Sequence, residues 1–493
     1  MTRRTKIVCS LGPACDSEST LKRLIGAGMD VARINMAFGM LTEQTSRAER
    51  LRRTRREMGS PCALMIELKG PEIRTGGLMD GAPVRLMAGS HFTLTERDVE
   101  GTSRIVTQTF AGLGACVEPG TIITLDAGRI ELAVDEVDGS DILCTVQNSG
   151  ILAERVTLNV PGVAVPLPTI TDEDRIALQL AVEQEADFVV VPFVRSAQAV
   201  AQVRSFLAQS GGSDIQVICK IENAQGLDNV EEIIEASDGV IIDRDTLSVE
   251  LSNFAVPGVQ IQLTEMCRRL CRPVIVTGQL LSSMEKSPTP SRTEVSDLAN
   301  AVFAGIDACV LAGETAVGSY PVTALMMAVQ VIESGEPLTQ AAALAADNSQ
   351  DNRIELAVGR SAVTAAEACG AKCIVAPTVS GHTARLISNL RPAVPVYSVS
   401  PTERAMRQQQ LLWGVTPLMG EVQCEMKDVV KNAQATVVEA GYLASGDVAV
   451  FTAGDRSTSP QVEESVRGIA GGVAATNVMY VIQIHDDAQG GAR

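Results

Sequence analysis

A lysine and a glutamate lie two residues apart after an apolar run in residues 216–223, Gln-Val-Ile-Cys-Lys-Ile-Glu-Asn. Because side chains alternate along a strand, Lys220 and Glu222 are expected to point to the same face. A cation beside a carboxylate at the end of a strand can hold a phosphate group and a divalent cation together. The alternative is a solvent-exposed ion pair worth about 0–1 kcal/mol. The spacing alone leaves both interpretations open, so the surrounding elements must decide.

Short β-branched runs alternate with helical patterns over residues 6–68 and again from residue 188. Strands are predicted at residues 6–11, 31–36, 62–68, 188–193, 216–221, 239–243, 273–277 and 308–311. Strands and helices in this alternation predict an α/β fold, a (β/α)8 TIM barrel. An open doubly wound sheet is the structural alternative. Residues 11–15, Leu-Gly-Pro-Ala-Cys, lack the glycine-rich fingerprint that normally follows the first strand of such a sheet.

The alternation of strands and helices is interrupted after residue 69. Short strand signals separated by Gly-Gly, Asp-Gly and Pro-Gly pairs continue to about residue 162, which predicts a small inserted β-domain, a barrel or a sandwich. Further strand and helix patterns near the end of the chain predict a C-terminal α/β domain. The predicted domains are the barrel at 1–69 and 163–340, the inserted domain at 70–162, and the C-terminal domain at 341–493.

Composition excludes several classes of function. The 493 residues are 45% hydrophobic and carry a net charge of −18, which predicts a folded protein without a nucleic-acid partner. No apolar run of about 18 residues and no signal peptide are recognisable, so we expect a cytoplasmic protein with no membrane partner. Three histidines and no Cys-x-x-Cys pair disfavour a zinc site or a histidine-based triad.

The active site of a TIM barrel lies at the carboxyl ends of its strands. The predicted strand ends carry basic, acidic and amide side chains: Arg33, Asn35, Glu67, Lys69, Lys220, Glu222, Arg244, Asp245 and Glu314. Such a set suits a phosphorylated, anionic substrate held together with a hard cation. A rim salt bridge explains any one of these residues equally well, but the same chemistry at five strand ends favours a site.

A second phosphate site is predicted in the C-terminal domain. Residues 378–383, Thr-Val-Ser-Gly-His-Thr, join a predicted strand to a predicted helix. Free N–H groups at a helix N-terminus bind phosphate. An ordinary helix N-cap is the alternative.

Long motifs in a fixed order resemble the pyruvate kinase family over nearly the whole chain. They include Lys-Gly-Pro-Glu-Ile-Arg-Thr-Gly at 69–76, Lys-Ile-Glu-Asn at 220–223, Ser-Arg-Thr-Glu-Val-Ser-Asp at 291–297 and Gly-Glu-Thr-Ala at 313–316. The resemblance implies a catalytic barrel, an inserted β-barrel lid and a C-terminal domain for effectors and oligomer contacts. It implies phosphoryl transfer from phosphoenolpyruvate to ADP, giving pyruvate and ATP in glycolysis, by a homotetramer.

The resemblance also implies residue roles. Lys220 and Arg33 look like catalytic residues that hold the transferring phosphoryl group, and Arg74 like a phosphate or nucleotide contact. Glu222 looks like a ligand of Mg²⁺ or Mn²⁺, and Asn35 like a ligand of K⁺. The effector loop, which resembles a sugar-phosphate site, is carried over onto Thr378, Ser380, Gly381 and Thr383.

The departures from the family pattern cluster on the chemistry. At the substrate and nucleotide positions, Thr246 stands where a second Mg²⁺ carboxylate belongs, and Asp245 replaces a glycine. Gly278 lacks a hydroxyl implicated in protonating the enolate. These losses imply little activity unless Asp245 or Asp243 serves as a replacement metal ligand. Ala37 replaces a potassium ligand of the family, and Glu67 and Leu68 replace a further pair of residues that bind potassium. Phe38 replaces a nucleotide contact, and Glu173 stands where the family usually has a lysine.

Two functional hypotheses follow. The first is a working pyruvate kinase with an altered metal and potassium site. The second is a catalytically weak or inactive homologue that acts as a regulatory or binding subunit, in a hetero-oligomer with an active paralogue. Pyruvate formation by the isolated chain separates the two.

Overall fold

The computed structural model describes residues 3–338, 353–421, 426–454 and 476–485. The strands, in chain order, are β1 (Lys6–Ser10), β2 (Val31–Asn35), β3 (Ala63–Glu67), β4 (Ile73–Arg74), β5 (Val84–Leu86), β6 (His91–Thr95), β7 (Ile105–Thr107), β8 (Ile122–Leu125), β9 (Ile130–Asp138), β10 (Asp141–Val146), β11 (Gly150–Leu152), β12 (Thr157–Asn159), β13 (Phe188–Val191), β14 (Gln216–Ile221), β15 (Gly239–Asp243), β16 (Val274–Thr277), β17 (Ala308–Leu311), β18 (Cys373–Pro377), β19 (Val396–Ser400), β20 (Val415–Met419), β21 (Val448–Ala453) and β22 (Val478–Gln483).

The helices alternate with the barrel strands and flank the C-terminal sheet. They are α1 (Glu18–Gly26), α2 (Leu41–Glu57), α3 (Asp172–Glu183), α4 (Ala197–Gln209), α5 (Ala224–Asp228), α6 (Val230–Ala236), α7 (Arg244–Glu250), α8 (Val256–Arg269), α9 (Arg292–Phe303), α10 (Gly313–Ala316), α11 (Pro321–Gly335), α12 (Arg353–Ala368), α13 (His382–Asn389), α14 (Glu403–Gln408) and α15 (Met426–Glu439). In the described part of the chain, no helix combines the length and apolar character needed to cross a membrane.

Eight parallel strands close into the predicted barrel, in the order β1, β17, β16, β15, β14, β13, β3, β2 and back to β1. Closure rules out the open doubly wound sheet. The strands form here because their inward and outward faces are both apolar, as a barrel wrapped by helices requires. Inside the barrel, Val8, Met65, Phe188 and Ile218 belong to one buried cluster, and Leu411 of the C-terminal unit packs into the same cluster.

The inserted segment is a small β-barrel, as predicted. Its sheet has the strand order β4, β12, β8, β9, β10, β6, β7. The two edge strands meet, because Gly76 N–H donates to the Thr107 carbonyl at 2.7 Å and Thr109 N–H donates to the Arg74 carbonyl at 3.0 Å. These hydrogen bonds close the sheet on itself. The segment follows β3, which places it beside the carboxyl ends of the barrel strands.

The C-terminal unit is an α/β sheet in the order β20, β19, β18, β21, β22, parallel except for its last strand. Strand β20 was not predicted, whereas the predicted barrel strands agree with the observed ones to within two residues at each end. Residues 335–350 are rich in alanine, glutamine and aspartate, which predicts a connection between the barrel and the C-terminal domain. Most of these residues lie outside the described part of the chain. The domain boundaries at 69/70, 162/163 and 340/341 remain predictions.

Candidate functional site

Lys220 lies at the carboxyl end of β14 with its ammonium group among three carboxylates. Nζ of Lys220 is 2.8 Å from Asp243 Oδ2, 3.2 Å from Glu67 Oε1 and 3.4 Å from Glu222 Oε2. Lys220 is 9% exposed and Glu222 is 1% exposed. The interpretation of Lys220 and Glu222 as a solvent-exposed ion pair is therefore wrong. Their predicted common facing is confirmed by their contact.

A second cation completes this cluster. Arg33, at the end of β2, donates from Nε to Glu67 Oε2 at 2.5 Å and from an Nη atom to Ser10 Oγ at 3.0 Å. Arg33 is buried, as are all three carboxylates around Lys220. The mouth cluster, defined as Arg33, Glu67, Lys220, Glu222 and Asp243, thus contains three acidic and two basic side chains. When all five are ionised, its net charge is −1.

The backbone fixes the carboxylate of Glu222. Phe193 N–H donates to Glu222 Oε1 at 2.7 Å. Phe193 has a φ of 52°, a left-handed conformation that is uncommon for a residue with a large side chain. Such strain persists where the surroundings enforce it, and it is common at functional sites. One oxygen of Glu222 is thereby held on the backbone and the other faces Lys220.

Asp243 ends β15 and caps helix α7 at the same time. Its Oδ1 accepts hydrogen bonds from the N–H groups of Asp245 at 3.1 Å and Thr246 at 3.2 Å. Its Oδ2 contacts Lys220. Burial disfavours the charged carboxyl group, but the charge of Lys220 and the hydrogen bonds outweigh burial and lower the pKa of Asp243. Asp243 is therefore the firmly ionised member of the cluster.

The pKa of Glu222 moves in the opposite direction. Burial raises it, Lys220 opposes this, and the nearby charge of Asp243 adds to the rise, which brings the pKa of Glu222 to about 7. Burial also works against the Lys220 ammonium, but Asp243, Glu222 and Glu67 outweigh burial and raise the pKa of Lys220 well above its ordinary value. Lys220 therefore stays protonated, and Glu222 is the member of the cluster whose pKa lies nearest to neutral pH.

Asp245 lies against Gly278, so two departures from the family pattern are in contact. Gly278 has a φ of 103°, and a Cβ atom at this position would lie 3.1 Å from Cγ and 3.1 Å from N of Asp245. Burial, together with the charge of Asp243, raises the pKa of Asp245. The carboxyl group of Asp245 thus occupies space that a side chain at position 278 would need.

We expect Gly278→Thr to destabilise the protein by about 1–3 kcal/mol, because the new side chain requires a left-handed backbone and meets Asp245. In an Asp245→Gly background the cost of Gly278→Thr is expected to be smaller, since the clash is removed. Urea unfolding of the two single variants and the double variant measures this coupling. If the changes in the free energy of unfolding of the two single variants add up to the change in the double variant, the contact between Asp245 and Gly278 is contradicted.

The residues expected to bind K⁺ have their oxygens engaged. Asn35 Oδ1 accepts from Ala37 N–H at 2.9 Å, and Asn35 Nδ2 lies 3.4 Å from Glu67 Oε1. The carboxylate of Glu67 contacts Arg33 through one oxygen and Lys220 through the other. The Ala37 and Leu68 side chains offer no oxygen. This donor set does not fit a potassium ion.

Other predicted residues lie outside the mouth cluster. Arg74 is part of the inserted barrel, where it forms an ion pair with Glu72 at 2.6 Å and donates to the Arg155 carbonyl. Glu314 has a structural role, since its carboxylate accepts from the backbone N–H groups of Leu281 and Ala312. Phe38 is 69% exposed on the loop after β2. Glu173 is exposed on the first turn of α3.

A cleft of about 430 Å³ joins the inserted barrel to the mouth of the large barrel. Glu72 and Asn159 line it from the inserted side, and Asn223, Asp245 and Thr246 line it from the barrel side. The cleft thus lies between the inserted barrel and the residues that follow strands β14 and β15.

The predicted effector loop precedes a regular helix start in the C-terminal unit. Gly381 has a φ of 84°, which favours glycine, and its N–H donates to Thr378 Oγ1 at 3.0 Å. Thr383 is buried and its hydroxyl bonds to that of Thr476 at 2.7 Å. Ser380 is exposed. Hydrogen bonds within the loop and to Thr476 therefore hold the loop in place, and Ser380 faces solvent.

Sequence reasoning missed two contributors to the site. Ser10 positions Arg33, and the only signal was its place at the end of a predicted strand. Phe193 positions Glu222 through its backbone N–H group. This contact could not be predicted from the sequence, because it does not depend on the type of side chain at position 193. Within the ranges that the structure describes, no three His, Cys, Asp or Glu residues form a ready-made metal centre. Any divalent cation here would take part of its coordination from substrate and water, as Mg²⁺ does with phosphates.

Two protein-family models match the chain. The model described as pyruvate kinase, barrel domain, matches residues 2–325. The model described as pyruvate kinase, alpha/beta domain, matches residues 356–480. Between them they include every barrel strand and most of the C-terminal sheet.

Curated proteins and a solved structure agree with these matches. A pyruvate kinase from Staphylococcus saprophyticus is 39% identical over 456 residues, which are 92% of this chain and 78% of that protein. A pyruvate kinase from Sporosarcina psychrophila is 37% identical over 459 residues, with the same two shares. The crystal structure of a pyruvate kinase from Cryptosporidium parvum has a TM-score of 0.89 and 30% identity, and the match covers 98% of this chain and 96% of that one.

Proposed function

Because this chain belongs to the pyruvate kinase family, we propose that its barrel mouth transfers the phosphoryl group of phosphoenolpyruvate to ADP, giving pyruvate and ATP. The observation that carries the proposal is the buried Lys220 ammonium, fixed among Glu67, Glu222 and Asp243 at the carboxyl ends of the strands. None of the relatives described above favours the alternative of an inactive regulatory subunit.

Lys220 and Arg33 are the cations that hold the transferring group in this proposal. Phosphoryl transfer depends mainly on positioning and on fixed positive charge at the equatorial oxygens. Lys220 cannot swing away without leaving Glu222 and Asp243 without a cationic partner, and Arg33 is held by Glu67 and Ser10. Both charges are therefore in place before substrate arrives, which avoids the cost of reorganisation during the reaction.

Proteins of this family depend on a divalent cation, and the mouth cluster fits one. Its surplus negative charge and its carboxylate oxygens match the hard oxygen donors that Mg²⁺ and Mn²⁺ prefer. Glu222, whose carboxylate is oriented by Phe193 N–H, is the proposed ligand. When bound, such a cation neutralises the phosphoryl oxygens and stabilises the developing enolate.

The nucleotide and effector assignments are also proposals. Arg74 and the cleft residues Asp245 and Thr246 are proposed to contact the substrate or nucleotide, since they line or border the cleft between the two barrels. The loop that contains Ser380 is proposed to bind a sugar phosphate at the start of helix α13. A homotetramer is proposed on family membership alone.

The proposal is tested by coupling pyruvate formation to NADH oxidation by lactate dehydrogenase. The isolated chain is assayed with phosphoenolpyruvate and ADP in Mg²⁺ and in Mn²⁺. Robust turnover by the isolated chain would end the inactive-subunit alternative. No turnover with either metal would overturn the proposal.

We expect turnover to be independent of K⁺, because the oxygens of Glu67 and Asn35 are already engaged by protein donors. At constant ionic strength, replacing KCl by tetramethylammonium chloride should change the initial rate by less than about twofold. The combined variant Ala37→Ser, Glu67→Asp, Leu68→Thr restores the usual donors and serves as the comparison. Strong activation of the unaltered chain by K⁺ would contradict the donor analysis.

A further inference from the structure

Glu222 and Asp243 lie side by side on neighbouring strands. Strands β14 and β15 are parallel, with Lys220 beside Ile241 and Ile221 beside Ile242. Continuing this register by one residue places Glu222 beside Asp243. Each of the two carboxylates has one oxygen held by backbone N–H groups and the other directed to the same Lys220 Nζ. The Lys220 ammonium group thus occupies the point where these two oxygens meet, so this point of the barrel mouth already accommodates a positive charge.

The two alternative replacement ligands are placed less favourably. Thr246 has a neutral side chain in the first turn of α7, and its N–H group serves Asp243. The Asp245 carboxyl group packs beside Gly278, which follows strand β16. Mg²⁺ and Mn²⁺ prefer charged carboxylate oxygens to a neutral hydroxyl.

We propose that Asp243 is the second protein carboxylate of the divalent-cation site, paired with Glu222, and that it takes over the role that family membership would assign to position 246. The inference rests on the proposed function, because it concerns the cation that phosphoryl transfer requires. It differs from the family pattern in moving the ligand from the first turn of helix α7 to the end of strand β15.

Charge balance supports the pairing. Three carboxylates and two cations leave the mouth cluster one charge negative, and an uncompensated buried charge is costly. A divalent cation between Glu222 and Asp243 compensates this charge where it is greatest. The cation takes over the pairing of both carboxylates with Lys220, whose ammonium group then becomes available to the phosphoryl group.

The test is the affinity of the full chain for Mn²⁺ alone, measured by electron paramagnetic resonance of the free aquo ion. Asp243→Asn is the informative variant, because asparagine still caps helix α7 through its amide oxygen but has no charge. We expect Asp243→Asn to weaken Mn²⁺ binding by at least about tenfold. Adding Thr246→Asp to this variant is expected to recover most of the lost affinity, because it returns a carboxylate to the neighbouring turn.

Asp245→Asn is the matched control, since it removes one carboxylate charge from the same mouth. We expect it to weaken Mn²⁺ binding less than about threefold, the effect of a nearby charge without a ligand bond. The assignment is overturned if Asp245→Asn loses more affinity than Asp243→Asn, or if Asp243→Asn binds Mn²⁺ as the parent does. Absence of Mn²⁺ binding by the parent would overturn it as well. Because the readout needs no turnover, an inactive chain that binds Mn²⁺ through Asp243 refutes only the proposed function.

Discussion

Replacing Lys220 by methionine is expected to lower kcat for pyruvate formation by about 10²–10³-fold, the usual cost of losing one preorganised charge that stabilises a transition state. Methionine keeps an unbranched apolar stem of similar length but removes the ammonium group. Lys220 is held by Glu67, Glu222 and Asp243, so its charge is available at a fixed position at the moment of transfer. Arg33 cannot replace it, because Glu67 and Ser10 hold the Arg33 guanidinium in its own position, away from the place of the Lys220 ammonium.

Steady-state kinetics with saturating Mg²⁺ measure the effect, and kcat is expected to fall more than the KM for phosphoenolpyruvate rises. Lys372→Met is the control, because Lys372 lies in the C-terminal unit in a half-exposed ion pair with Asp447. Thermal unfolding of both variants establishes that they are folded at the assay temperature. A folded Lys220→Met variant with kcat within about tenfold of the parent would remove Lys220 from the transferring step.

The barrel and the pairing of Lys220 with Glu222 could be predicted from the sequence because both depend on short-range periodicity. Alternation along β14 fixes the common facing of these two side chains whatever surrounds them. Their burial could not be predicted, because it depends on β3 and β15, which approach only in the closed barrel. Glu67 is 153 residues from Lys220 in the chain, yet the two are in contact.

The position of the metal ligand was left open between Asp243 and Asp245 for a definite reason. Asp243 is both the last residue of β15 and the N-cap of α7. The alternation of side chains along the strand therefore ends at Asp243 and does not predict which way Asp245 points. The end of strand β13 was misjudged for a similar reason. The strand predicted at 188–193 ends at Val191, and Phe193 then adopts a left-handed conformation. Such a conformation is usually predicted from a glycine, and position 193 has none.

The contact between Asp245 and Gly278 illustrates a further limit. Taken singly, the aspartate and the glycine look like two independent losses of function. In the structure they are complementary in volume, since the carboxyl group at 245 occupies the space left by the absent side chain at 278. Complementarity between residues 33 positions apart is a property of packing and has no signature in local sequence.

A second buried charge cluster joins the barrel to the C-terminal unit. Asp187, just before β13, has no exposed surface. Its Oδ1 accepts from Arg407 Nε at 2.8 Å, and its Oδ2 lies 3.3 Å from an Nη atom of Arg55 and 2.8 Å from Leu64 N. Both arginines are buried too. One carboxylate thus compensates a guanidinium from the barrel helix α2 and another from α14.

We expect Asp187→Asn to lower the free energy of unfolding by about 3–5 kcal/mol, because it leaves the buried Arg55 guanidinium without its counter-charge and the buried Arg407 guanidinium with only the exposed Glu403. Asparagine preserves the size of the side chain, so the loss measures charge rather than a cavity. Urea unfolding followed by tryptophan fluorescence reports the change. The single tryptophan, Trp413, is suited to this, since the guanidinium groups of Arg4 and Arg391 lie 5.2 and 4.9 Å from its ring where the two units meet.

Asp214→Asn provides the matched control for this junction. Asp214 forms an ion pair with Arg404 at 2.7 Å, also between the barrel and α14, but its side chain is 60% exposed. An exposed pair of this kind contributes about 0–1 kcal/mol, so Asp214→Asn should be nearly neutral. Replacing Arg55, Asp187 and Arg407 together by apolar residues should cost less than Asp187→Asn alone, because no buried charge is then left uncompensated. If Asp187→Asn is as mild as Asp214→Asn, the junction is held by apolar contacts such as that of Leu411 in the barrel interior, and not by charge.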